Sequence, residues 1–194
     1  MARANLLFLL VVAAYPVIVY IGLQYLDGRY VGLALIAVAL ARLALGHRLT
    51  RFGGTMPQTN IIVMLLLAVG VLALATNSAT LLQYYPVGVN ALMFTMFASS
   101  LFYPPTIIER IARVTTPNLP ASGVAYTRKV TIVWCGFFIL NGTMATYTVL
   151  FASLEVWTAY NSAISYALMS LLLGGELVVR RYVLRNTPAA SDVT

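Results

Sequence analysis

The sequence predicts an all-α integral membrane protein: six transmembrane helices arranged as three antiparallel hairpins, with both termini cytoplasmic. Three observations predict it. Hydrophobic residues make up 61% of the 194-residue chain and charged residues only 9%, against roughly 25% charged in an ordinary soluble domain. The apolar residues form long continuous runs, where a β-barrel would show short alternating strands. Finally, eleven of the twelve basic residues fall at alternate ends of those runs.

Each run is judged by length, since about 20 apolar residues cross a bilayer core. Asn5 to Leu26 begins like a signal peptide, with Arg3 before "NLLFLLVVAAY". It continues too far for a signal-peptide core and reads as an uncleaved first helix. The second and third runs, Tyr30 to Leu45 and Ile61 to Ala75, are short, so their ends extend into the flanking connections. Leu81 to Phe102, Val130 to Ala152 and Trp157 to Val178 complete the set. Tyr15-Pro16 and Tyr84-Tyr85-Pro86 put prolines inside the first and fourth helices, where a missing N–H kinks the chain. Small residues four apart, Ala37 with Ala41 and Ala163 with Ala167, suit close helix approach. Trp134 and Trp157 stand where interfacial anchors are expected.

The connections set the topology. The short turns "DGR", "TNS" and "SLEV" carry Asp27, Arg29 and Glu155, which sum to −1. Opposite them lie Arg3; Arg42, Arg48 and Arg51; Arg110, Arg113, Arg128 and Lys129; and Arg180, Arg181 and Arg185. By the positive-inside rule that side is cytoplasmic. Residues 1–185 form one transmembrane domain that includes an amphipathic cytoplasmic loop, 104–129. Residues 186–194 read as a disordered tail. The net charge of +7 is therefore a topology signal and not a nucleic-acid footprint.

The loop holds the densest polar feature. Thr106 and Glu109 have capping-box spacing. On the helix they start, Ile107, Ile108, Ile111 and Val114 share one side, with Glu109, Arg110 and Arg113 on the other. Such a helix suits the inner headgroup layer. Glu109, Arg110, Arg113, Arg128 and Lys129 are candidate docking residues for anionic lipid headgroups, at roughly 1 kcal/mol per basic side chain, or for a protein partner. The plainer reading is that the cations only orient the chain.

Within the bilayer the candidates are Asn90, Asn141, Asn161, Gln83 and Glu176. Intramembrane carboxylates are functional candidates by default, yet Glu176 lies one turn before Arg180 and can pair with it. The asparagines bridge helices or form a polar pocket. Arg42 is explained by snorkelling. His47 has no nucleophile or carboxylate beside it, and the lone Cys135 excludes an internal disulfide and a cysteine-cluster metal site. No phosphate-binding glycine loop, HExxH, paired carboxylates or voltage-sensor helix is present, so neither a catalytic set nor a cofactor is implied.

At "PPTIIERIAR", then "YTRKVTIVWCGFFILNG", the chain resembles a family of small proteobacterial inner-membrane proteins. Their genes accompany fatty-acid-synthase-like genes for aryl-polyene and xanthomonadin-type pigments. The likeness runs from "YPVGVN" to "GGELVVRR". A weaker likeness, through Pro105, Ile107, Arg110, Trp134, Phe137, Phe138, Asn141 and Gly142, extends to the intracellular septation protein A family. The resemblance implies an accessory or scaffold protein of envelope or lipid-like polyene biogenesis, with lipids, biosynthetic enzymes or envelope proteins as partners. It supplies no catalytic residue. A carrier or enzyme handling an acyl or polyene lipid among the asparagines and Glu176 is the alternative, and homo-oligomerisation is left open.

Overall fold

Because most of the chain cannot be solvated by water, its backbone polar groups must be satisfied internally, and helices do this within one segment. The computed structural model describes residues 14–49 and 57–186, with side chains over 14–44 and 63–179. Every element among the described residues is helical. In chain order these are α1 (Tyr15–Tyr25), α2 (Gly28–Leu49), α3 (Pro57–Thr76), α4 (Ala79–Gln83), α5 (Tyr85–Phe102), α6 (Ile107–Thr115), α7 (Ala121–Phe151) and α8 (Leu154–Ala159). A π-helical turn (Tyr160–Ile164) and α9 (Ser165–Asn186) complete the described chain. Ala79–Phe102, Ala121–Phe151 and Leu154–Val179 are each long and apolar enough to cross a membrane, which marks the chain as a membrane protein. Val63–Thr76 is a shorter apolar helix. Leu140 on α7 and Leu171 on α9 are 71% and 72% exposed, as lipid-facing side chains are.

The contacts mark α2 and α3, and α5 and α7, as antiparallel pairs. Gly22 of α1 meets Val31 of α2, and on α2 Gly28 meets Ser78 and Ala79 while Gly32 meets Gly70 and Leu74. Asn90 bonds Asn141 near one end of the α5–α7 contact, and Arg128 Nη1 donates to Leu101 O at the other. The most extensive packing joins α2 to α3 and α5 to α7. One core gathers Tyr15, Val31, Leu35, Leu82 and Trp157; a second gathers Val130, Trp134 and Phe138 against Phe97.

Several expectations are corrected by these contacts. Pro86 does not bend a continuous helix but opens α5 just after its first residue, with Tyr84 separating α5 from α4. Proline has no N–H and clashes with the carbonyl four residues back, so the helix divides there. Trp157 is wholly buried and Trp134 nearly so; neither is an interfacial anchor. Ala37, Ala41, Ala163 and Ala167 are exposed, and the close helix approach is instead at Gly32 and Gly70, where the missing Cβ atoms let two backbones meet. α7 begins at Ala121, so Arg128 and Lys129 stand on a helix within what was read as loop. As expected, α2 and α3 are longer than their apolar runs.

Other expectations lie outside the described residues. They concern Arg3, residues 5–13 of the first helix, Arg51 and the tail 187–194, together with the side chains of His47, Arg48, Arg180, Arg181 and Arg185.

Candidate intramembrane polar site

Asn90 lies about halfway along the Ala79–Phe102 segment, one turn after Pro86. Its Nδ2 donates to Pro86 O at 2.8 Å. Asn141 Nδ2 of α7 donates to Asn90 Oδ1 at 3.0 Å, and the Tyr160 hydroxyl donates to Asn141 Oδ1 at 2.9 Å. These bonds form a buried chain in which every donor points toward α5. Gly142 makes the approach feasible: a Cβ there would sit 3.2 Å from Asn90 Cβ.

The third asparagine reaches α7 through a change in helix geometry. Over Tyr160–Ile164 the backbone widens to a π turn, with Ser165 N–H bonded to Tyr160 O. Such turns are rare and re-aim side chains. Here consecutive residues, Tyr160 and Asn161, both face inward. Asn161 Nδ2 donates to Thr148 Oγ1 at 3.3 Å and to Trp157 O at 2.9 Å.

The three asparagines meet at one pocket of about 110 Å³ between α1, α5, α7 and α9. Val89, Met93, Phe138 and Met169 give it apolar walls; Ser165, Tyr85 and Tyr166 add hydroxyls. Tyr85 and Tyr15 pack ring against ring at 4.2 Å, tilted by 34°. Thus the two Tyr-Pro steps, far apart in sequence, meet at this pocket. The Tyr15 hydroxyl donates to Leu82 O at 2.7 Å. The Tyr85 hydroxyl is buried and has no hydrogen-bond partner among the described residues.

Glu176 is not at the pocket. It lies toward the end of α9, where its backbone carbonyl accepts from the Tyr126 hydroxyl at 3.4 Å. Gln83 contributes its carbonyl, which accepts from Trp157 Nε1 at 3.1 Å. Trp157 and Tyr160 carry no sequence signal for the site, whereas for Tyr15 and Tyr85 the repeated Tyr-Pro dipeptide, a kink that can line a cavity or improve packing, is one.

The basic loop is a separate feature. Thr106 Oγ1 caps α6 by accepting from Glu109 N at 3.3 Å. Glu109 is buried and its Oε1 accepts from Arg113 Nε and Nη2 at 2.9 and 2.7 Å, as its i,i+4 spacing suggested. The expected polar stripe is therefore rotated: Glu109 and Ala112 face the protein, while Ile111 (60% exposed) and Val114 (82%) face away. Pairing with Arg113 is what allows the carboxylate to be covered. Arg110 Nε donates to Pro105 O, just after the cis Pro104–Pro105 bond. Arg113 Nη1 donates to Pro117 O, and Arg128 holds the end of α5 as described above. Lys129 is exposed. Among the described residues no group of three His, Cys, Asp or Glu side chains could hold a metal ion.

No protein-family model, curated protein or solved structure matches the chain.

Proposed function

We propose that this chain is a multi-pass accessory protein of the bacterial inner membrane that holds an acyl or polyene lipid in its intramembrane polar pocket. The setting is envelope or lipid-like polyene biogenesis, which rests on the resemblance carried by "PPTIIERIAR" and "YTRKVTIVWCGFFILNG". What supports a pocket is a single observation: Asn90, Asn141 and Asn161, from three separate apolar segments, converge on one cleft with mostly apolar walls. Buried polar groups in hydrocarbon are costly unless paired, and small-molecule sites combine apolar walls with a few placed polar groups. Among the described residues the lining offers hydroxyls and amides, groups suited to holding a polar head, so the role proposed is carrying or presenting.

A second reading, docking of anionic lipids or enzymes at the cytoplasmic face, is favoured by α6. Its exposed Ile111 and Val114 beside Arg110, Lys129 and Arg128 suit a headgroup layer. Both readings keep the expected six-span topology, with the termini and α6 on the cytoplasmic side.

One purification tests both. In gentle detergent, native mass spectrometry is expected to show a bound lipid on the wild type that is lost in Asn141→Leu or Ser165→Leu. Reversing the charge at Arg110, Arg128 and Lys129, with Arg113 kept because it pairs with the buried Glu109, should leave that lipid in place. Loss only with the charge reversal, together with loss of co-purifying proteins, would replace the pocket reading by the docking one.

A further inference from the structure

We infer that the pocket selects a neutral amphiphile whose head presents an oxygen acceptor to the Tyr85 hydroxyl. This deepens the pocket reading and rests on it. Tyr85 is only 3% exposed, yet its hydroxyl finds no partner among the described residues, while its neighbour Tyr15 is committed to Leu82 O. A buried hydroxyl without a partner is unusual in a folded chain and calls for an account. Tyr85 also lines the cleft, so an acceptor entering the cleft is what this donor lacks.

The other lining groups define the head. None is charged: the polar wall is Asn90, Asn141, Asn161, Ser165 and two further tyrosines. A carboxylate or phosphate brought here would lose its hydration and find no cation to pair with. Asn90 and Asn141 already direct their carbonyl oxygens to Asn141 and Tyr160, and Asn161 directs its amide to Thr148 and Trp157. Among the lining groups, Tyr85 is the one whose hydroxyl is wholly covered and without a partner among the described residues. An ester, ketone, quinone or alcohol oxygen shares the required chemistry. The size fits a head and not a tail, because about 110 Å³ is well below the roughly 300–1,000 Å³ of pockets that enclose drug-sized ligands. The tail would then lie in the bilayer, past Tyr166, which is at the exposed edge of the lining.

The test uses the full chain in detergent with three probes of matched tail: dioleoylglycerol, oleate and dioleoylphosphatidylglycerol. Dioleoylglycerol is expected to bind in preference to both anions and to be lost in Ser165→Leu. Tyr85→Phe keeps the ring packed on Tyr15 and removes only the hydroxyl, so its thermal unfolding should match the wild type while dioleoylglycerol affinity falls about five- to tenfold. Pocket binding that Ser165→Leu abolishes but Tyr85→Phe leaves unchanged overturns the inference and spares the pocket. Preference for oleate or the phosphatidylglycerol, measured on the wild type alone, overturns it too. If no probe binds at a site sensitive to Ser165→Leu, the pocket reading fails and this inference fails with it.

Discussion

Leu82 shows how single residues settle their accounts in this fold. Pro86 cannot donate to the carbonyl four positions back, so Leu82 O is left without its helical partner. The Tyr15 hydroxyl supplies the donor from α1, and Trp157 Nε1 of α8 donates to the neighbouring Gln83 O. Both carbonyls lie where water is scarce, so deleting a donor leaves a polar group desolvated. Tyr15→Phe is expected to destabilise the fold by about 1–3 kcal/mol, read as a lowered midpoint of thermal unfolding in detergent. Tyr147→Phe, at a position more than half exposed, serves as the control and should not change it. A Tyr15→Phe midpoint equal to wild type would refute the account. Pro86 was visible in the sequence, but the partner of the carbonyl it frees was not: Tyr15 and Leu82 are 67 residues apart, beyond the reach of any local periodicity.

Helices of this chain are apolar around most of their circumference, which decides what could be read of them. A soluble helix shows its buried stripe by contrast with a polar one; α2 offers no such contrast. Its sequence contains competing four-residue spacings, Ala37 with Ala41 and Val31 with Leu35 and Ala39. Only the second set is buried, because Gly32 admits α3 on that side. A Cβ on Gly32 would stand 2.8 Å from Gly70 O and 3.1 Å from Leu74 N, and backbone atoms cannot step aside. Gly32→Ala should therefore cost about 1–3 kcal/mol. Gly136→Ala, with nothing within 4 Å, should be neutral or gain up to about 1 kcal/mol in helix propensity. Equal unfolding midpoints for the two variants would contradict this packing. The amphipathic α6 is the converse case: its cap and its Glu109–Arg113 pair were legible from spacing. Its orientation was not, since spacing alone cannot say which stripe a protein will cover.

At the scale of the molecule, charge and length act together. The 31 residues of α7 extend about 46 Å at 1.5 Å per residue, more than the roughly 30 Å hydrocarbon core. Its first turns carry Arg128 and Lys129, and the proposed topology sets that charged end in the headgroup region. If the eleven basic residues share the cytoplasmic side, as the proposed topology requires, a reporter fused at Glu155 should report a periplasmic position and one fused at Asn118 a cytoplasmic position. Cytoplasmic exposure at Glu155 would contradict the proposed topology. Hydrophobic run length and charge placement are additive properties of the chain, so the sequence by itself determined the all-helical class, the membrane as solvent and the cap of α6. Convergence is not additive. That Asn90, Asn141 and Asn161 share a cleft, that the two Tyr-Pro steps meet, and that Tyr85 is left with a hydroxyl to donate follow from helix rotation and crossing. Those are set by side-chain shape at contacts such as Gly32 with Gly70 and Gly142 with Asn90, and they were decided only by the tertiary structure.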